Sequence, residues 1–290
     1  LKERIYLSPY CCVDETGWLI LDIGSGWLWV FTNDIICLYL IDKSRGSDVV
    51  KLVLGEDYLG ILSSDCFSSY NPVSAAEKQK CVVHILRKNK EIQESPLIGT
   101  GAKVFTTQVK DLFQRALELK KNWKSGNLAE EELSEKAADF KKELEEITNQ
   151  ELENADADNL RKRLIKHKDE LFVFLTHPYV PADNNQAERS LRPCVIHRKL
   201  MFFNTTEQGA RHYELIMSLT QTAKKNGQNT LELMKKLLTG DSPEEIIKLL
   251  LGDHSKKNHL KKEESPLAEY TVSPEVVPES EGVLAGAGHS

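Results

Sequence analysis

The sequence predicts an α/β fold carrying an all-helical insertion, and three observations support this. Runs rich in β-branched and aromatic residues crowd the first hundred positions. From Gly101 the apolar spacing changes from alternation to a period of about 3.6 residues, that of a helix face. After a loop framed by Pro178 and Pro181, amphipathic helices resume and continue towards Gly252. With 290 residues, 40% hydrophobic and 28% charged, the chain can bury a substantial core and is neither fibrous nor wholly disordered. No apolar run reaches the ~18 residues that a membrane-spanning helix needs.

The elements follow in order. Tyr10 to Leu21 reads as β-structure around an Asp14-Glu15-Thr16-Gly17 insert, so Asp14 closes its first run. Gly26 to Thr32 is a second strand, stopped by Asn33-Asp34, and Ile35 to Ile41 pairs with it as a hairpin. Ser47 to Leu54 is a short amphipathic helix. Gly60 to Asp65 has the pattern of a buried strand ending on a carboxylate, and Lys80 to Leu86 is a further strand-like run. Three meandering strands, a helix, a strand, a short segment and a strand is the order of a ribonuclease-H-like mixed sheet, although other α/β folds share part of it.

Residues 1–100 are therefore expected to form the first part of a core, and 101–176 the helical insertion. Its stripes are Phe105, Val109, Leu112, Ala116 and Leu119; Leu133, Ala137, Phe140, Leu144 and Ile147; and Leu160, Leu164, Leu171 and Leu175. About three helices packed as a hairpin or small bundle are expected, with a coiled-coil arm as the alternative. Residues 177–252 return to the core, with Asp183, Asn184 and Asn185 as capping candidates for a helix carrying Glu188. A longer helix runs from about Gly209 to Lys225, and Ser242-Pro243-Glu244-Glu245 reads as a capping box. Residues 253–290, rich in Lys, Glu, Ser, Pro and Gly, form a tail expected to be disordered. The chain opens on Leu1 without an initiator Met and reads as a fragment or the product of a disrupted frame.

Charge and cysteine usage narrow the setting. Net charge is −6, but Gln186 to Lys236 holds nine basic residues against four acidic ones, so one face can meet a polyanion. Cys11, Cys12, Cys37, Cys66, Cys81 and Cys194 are scattered in apolar surroundings, which suits a reducing cytosol.

Asp14 and Asp65 each end a strand-like run, where burial is costly unless a cation meets the carboxylate. Two Mg²⁺ ions held by a few carboxylates can activate water or a 3′-hydroxyl against a phosphodiester. Glu188, on a helix crossing the sheet, is the best third ligand. The plain alternative is that both Asp residues begin turns and that Glu188 forms an i,i+4 surface pair with Arg192. Arg189, Arg192, Arg198 and Lys199 follow and could contact DNA phosphates, or could form a solvated face paired with the acidic insertion. Of Trp27 and Trp29, which alternate along a strand, at least one is expected in the core, and Trp123 is expected to pack within the insertion.

Asp14-Glu15-Thr16-Gly17-Trp18, Gly26-Trp27-Leu28-Trp29-Val30, Asp42-Lys43-Ser44-Arg45-Gly46, Asn184-Asn185-Gln186-Ala187-Glu188-Arg189, and Leu191-Arg192-Pro193 through Ile196-His197-Arg198-Lys199 closely resemble the insertion-sequence-66 family of bacterial transposases. The resemblance covers roughly Cys12 to Lys236. It implies a DDE-type enzyme with a ribonuclease-H-like core interrupted by helices before the last acid, and Asp14, Asp65 and Glu188 as both catalytic triad and metal ligands. It further implies Mg²⁺, for which Mn²⁺ can substitute, cleavage at transposon ends, and transfer of the 3′-hydroxyl into target DNA. Double-stranded DNA is the expected partner, with a homo-oligomer on DNA, accessory proteins as candidates, no membrane, and a cytoplasmic, nucleoid-associated location.

Cys81 and His84 match a Cys-x-x-His pair that supports the active site in several DDE transposases, on the strand after the second Asp. The same spacing recurs at Cys194 and His197, but both cysteines lie in apolar runs, so a zinc site is disfavoured. Four departures stand out, one of them that Asp65-Cys66-Phe67-Ser68-Ser69-Tyr70 departs mildly from the family's usual Tyr and Ala pattern. The family's upstream DNA-recognition region has no counterpart before Leu1, Met201 to Thr206 is unusually aromatic, and the stretch after Gly252 does not match. Two rival readings remain: a ribonuclease-H-like nuclease without strand transfer, and a non-catalytic DNA-binding or interaction remnant.

Overall fold

The computed structural model describes residues 1–96 and 98–252. A short α1 (Lys2–Tyr6) leads into the strands β1 (Tyr10–Ile20), β2 (Gly24–Thr32) and β3 (Cys37–Asp42). Then come α2 (Ser47–Leu54), β4 (Asp57–Ser64), β5 (Ser74–Lys80) and α3 (Val82–Gln93). The helical segment comprises α4 (Thr100–Lys124), α5 (Glu130–Thr148) and α6 (Ala155–Lys166). After a single turn, α7 (Val173–Thr176), the chain ends in α8 (Asn185–Met201), α9 (Glu207–Lys225), α10 (Thr230–Thr239) and α11 (Pro243–Leu251). The expected disordered tail, 253–290, lies outside the described residues.

The sheet is mixed and five-stranded, in the order β3-β2-β1-β4-β5. β1 and β2 run antiparallel, as do β2 and β3, whereas β1 with β4 and β4 with β5 are parallel. Alternation along β1 divides the apolar residues between two faces. Cys11 and Val13 pack with Val49, Val50, Leu54, Leu233 and Leu250 on one side. Tyr10, Cys12, Trp18 and Ile20 pack with Ala187, Leu191, Cys194 and Met217 on the other. A third cluster lies within α3 to α6, where Phe105, Leu112, Phe113, Leu144 and Leu160 meet Phe172 and Phe174. The first two expected stripes are the inner faces of α4 and α5, whereas the third starts on α6 with Leu160 and Leu164 and passes beyond that helix to Leu171 and Leu175; Trp123 packs against the same cluster.

Two expectations need correction. Lys80–Leu86 is not a strand: the chain leaves β5 at Lys80 and enters α3 at Val82. A short apolar run suits a buried helical turn as well as a strand, and here Val82 and Ile85 face the helical core. The strand is instead the polar stretch before it, Ser74–Lys80, which pairs with β4 at the sheet's rim. Asp14 does not end a strand either. β1 continues through it to Ile20, because Gly17 and Trp18 keep their pairing with Trp27 and Gly26.

β3, the opposite rim, is closed by a helix. Tyr39 N–H donates to Ser218 Oγ at 2.9 Å and Cys37 N–H to Thr222 Oγ1 at 3.0 Å, while Ile41 N–H donates to Glu214 Oε1. Residues 214, 218 and 222 recur every four along α9, about 6 Å apart. Residues 41, 39 and 37 recur every two along β3, about 6.8 Å apart. The two repeats are close enough for three successive bonds.

Candidate active site

The parallel register brings Asp14 and Asp65 together. Cys12 is opposite Ser63 in the last β1–β4 pair, so two residues onward Asp14 and Asp65 leave the ladder on the same face. Each carboxylate is fixed by a nearby backbone amide: Glu15 N–H donates to Asp14 Oδ1 at 3.0 Å, and Phe67 N–H to Asp65 Oδ1 at 2.8 Å. α8 crosses this face with Ala187 and Leu191 packed on the sheet, which sets Glu188, in its first turn, beside the strands. The Asp14 carboxyl is pushed up to about 7, first by burial and then by the charges of Glu15, Asp65 and Glu188, partly offset by the Glu15 N–H. Asp65 and Glu188 are thus near enough for their charges to act on Asp14, but the three carboxylates do not come within 4.8 Å of one another as a ligand trio.

Glu188 does not form the surface pair with Arg192 that was its alternative reading. Its Oε1 lies 3.6 Å from His84 Nε2 instead. Cys81, His84 and Glu188 place ligand-type atoms within 4.8 Å of one another, the one such trio among the described residues. His84 thus reaches the site from the start of α3 rather than from a strand. Burial pushes the Cys81 thiol up to about 11, and its Sγ accepts Asn184 N–H at 3.2 Å, so Cys81 acts here as a neutral thiol. Cys194 is buried against the sheet and His197 Nδ1 lies 3.0 Å from Tyr213 Oη, so the second pair does not join the first. Asn184, fully buried at the α8 N-cap, turns its side chain away from the helix and donates to Val13 O at 2.9 Å. That bond ties α8 to β1 one residue before Asp14.

A second cluster went unrecognised in the sequence. Glu15, its side chain only 3% exposed, accepts from Arg45 at 2.9 Å and from Tyr70 Oη. The Arg45 guanidinium lies between the rings of Trp27 (4.1 Å) and Phe67 (3.9 Å), and Ser69 Oγ donates to Arg45 O. Arg45 therefore joins the strand carrying Asp14 to the turn that follows Asp65. Burial raises the Glu15 carboxyl, against the pull of Tyr70 and Arg45. The available signal was an acid adjacent to Asp14 and an Arg in the Asp42–Gly46 string. Trp29 is fully buried and Trp27 partly so, as expected. Gly26 is required by close approach, since a Cβ there would lie 2.8 Å from Asp42 O.

The basic residues after Glu188 divide. Arg198 points inward and donates to Thr16 Oγ1 at 3.1 Å and to Gly17 O. Arg189, Arg192 and Lys199 are exposed, and none of them pairs with an acid of the helical segment among the described residues.

These residues fit a hard divalent cation. Glu188 Oε1 and His84 Nδ1 are buried without hydrogen-bond partners. Among the described residues, Asp14 and Asp65 have no Lys or Arg in ion-pair range. The donors are carboxylate oxygens, the chemistry that Mg²⁺ prefers, and a cation would relieve their mutual repulsion.

The profile of the transposase IS66 family matches residues 1–212, a span that includes all three acids. The uncharacterized protein y4qI of Sinorhizobium fredii (strain NBRC 101917 / NGR234) is 26% identical over 267 residues, covering 82% of this chain and 49% of that protein. The chain thus spans about half the length of this curated relative. No solved structure matches.

Proposed function

Since the chain belongs to the transposase IS66 family, we propose that residues 1–252 form the catalytic core of a DDE-type transposase in which Asp14, Asp65 and Glu188 are the three acids. The observation that carries this reading is the β1–β4 register, which sets Asp14 and Asp65 on the same face of neighbouring strands, beneath the helix that carries Glu188. The strand order β3-β2-β1-β4-β5, with β2 antiparallel to both neighbours, supports a ribonuclease-H-like sheet. In that frame 1–100 and 177–252 are core, and 101–176 is an insertion ahead of the last acid.

Asp14, Asp65 and Glu188 would hold divalent cations, Mg²⁺ or Mn²⁺. When bound, these supply Lewis acidity to a phosphodiester and lower the pKa of an attacking water or 3′-hydroxyl. The protein's own part is positional. Backbone amides fix Asp14 and Asp65, His84 lies 3.6 Å from Glu188, and Arg45 braces the strand carrying Asp14 against the turn after Asp65. Water attack at a transposon end breaks the phosphorus–oxygen bond and frees a 3′-hydroxyl. That hydroxyl then attacks a target phosphodiester and displaces its 3′-oxygen, with no covalent protein–DNA intermediate. The partner is double-stranded DNA, engaged by a homo-oligomer with or without accessory proteins in the bacterial cytoplasm. Among the described residues no helix is long and apolar enough to cross a membrane.

A strand-transfer assay with pre-cleaved ends and Mg²⁺ or Mn²⁺ tests this. Joining should be seen with the unmodified chain and fall to background in Asp14→Asn and Glu188→Gln, with folding intact by circular dichroism. Joining that survives either substitution refutes the assignment. Hydrolysis without joining would make the protein a nuclease, and DNA retention without metal-dependent cleavage would make it a non-catalytic remnant.

A further inference from the structure

We infer that a basic cleft on the flank of α8 turned away from Glu188 seats one backbone strand of duplex DNA. The inference rests on the transposase reading and assigns the helical segment a part in holding substrate. The cleft has a volume of about 760 Å³ and lies between α4, the start of α8 and the end of α9. At 100° per residue, Asn185, Gln186, Arg189 and Ser190 share the side of α8 that lines it. Ala187, Leu191 and Cys194 face the sheet, and Glu188 falls on the remaining side. The cleft is therefore separate from the carboxylate cluster.

Its charge is one-sided. Lys121 and Lys124 of α4, Arg189 of α8 and Lys224 of α9 line it and are exposed. Lys124, Arg189 and Lys224 have no acidic partner among the described residues, and Lys121 has only Glu118 at 3.4 Å. Asp183 is the single lining acid, and its Oδ1 already accepts Asn185 N–H at 3.0 Å.

Two further lysines brace the walls. Lys120 donates to Phe174 O (3.0 Å) and Val180 O, and Lys225 to Thr32 Oγ1 (2.6 Å) and Asn33 O. Four exposed cations drawn from three helices around an open groove, three of them without an acidic partner among the described residues, suit an extended polyanion better than a single phosphate, which needs converging donors. A second groove, between α4 and α5, is lined by Asp111, Asp139, Glu143 and Glu146 with Lys142 as its one lining cation, so it suits a polyanion less well than the lysine-lined cleft does.

Fluorescence anisotropy of a short labelled duplex, titrated in EDTA across a salt series, tests the cleft without any chemistry. Each phosphate contact contributes about 0.9 to the slope of log affinity against log salt. Lys124→Gln with Lys224→Gln should therefore reduce the slope by about 2. Lys103→Gln with Lys110→Gln removes the same charge from exposed positions on α4, roughly 20 Å or more from Lys124, and should leave the slope unchanged. Equal loss in both pairs, loss in neither, no measurable binding at low salt, or equal competition by polyglutamate would each overturn the inference. A silent strand-transfer assay beside an intact cleft effect would refute the catalytic reading alone, and the converse result would refute the cleft alone.

Discussion

Asp14 shows most directly what one residue costs a fold to keep. Its carboxyl titrates near 7 in the native chain and near 3.8 when free. The native state therefore holds a proton that the unfolded state releases between those values, and stability is lost as pH rises from about 4 to about 7. Above pH 7 the penalty is complete, at most about 4 kcal/mol at about 1.4 kcal/mol per unit, reduced by whatever solvent still reaches the group. Asp14→Asn should thus raise the denaturation midpoint of the metal-free chain at pH 8 and leave it nearly unchanged at pH 4. Urea titrations in EDTA at the two pH values check this, and a variant less stable at pH 8 would contradict it. Asp14 and Glu188 stood out in the sequence because each lies in a distinctive string, whereas Asp65 was picked out only as the carboxylate closing a buried-strand pattern. The Glu15–Arg45–Tyr70 cluster was not, because its members are 30 and 55 residues apart and only the folded sheet sets them in contact. Asn184 was legible as a helix-start residue, yet its side chain serves β1 rather than the helix.

Among the elements, the β3–α9 contact carries the clearest prediction. Ser218 and Thr222 are 3% and 0% exposed, and each accepts a strand amide that has no alternative partner. Ser218→Ala or Thr222→Val should each cost about 1–3 kcal/mol, the penalty for a buried donor left unmade. Glu214→Gln, which keeps an acceptor, should cost less. Chemical denaturation reads the difference, and a loss below ~0.5 kcal/mol for both hydroxyl variants would mean that water replaces the bonds. Sequence reading located α2 and the Ser242 capping box because local chemistry decides them, and both are present. It mistook the start of α3 for a strand and passed over β5, since Ser74–Lys80 has little intrinsic strand preference and is held by pairing with β4. The polar residues at every fourth position of α9 were visible, but their strand partners lie 173 to 185 residues away.

At the scale of the whole molecule, Lys120 anchors the helical segment to the chain that leads into α8. Its ammonium is pushed down to about 7, by burial first and then by Lys124. Between about 7 and its ordinary 10.5 the unfolded chain binds a proton that the folded chain does not, so stability rises with pH across that window. Lys120→Met should flatten the rise, measured as the change in unfolding free energy between pH 7 and pH 10; an unchanged slope would show that Lys120 stays charged. The hydroxyl-and-carboxylate zipper on β3 also has a consequence for crowding. A rim whose outward amides are already engaged offers no template to a passing chain, so fibrous growth from that border must wait until α9 peels off. Ageing or heat should therefore release α9 before the protein begins to stack.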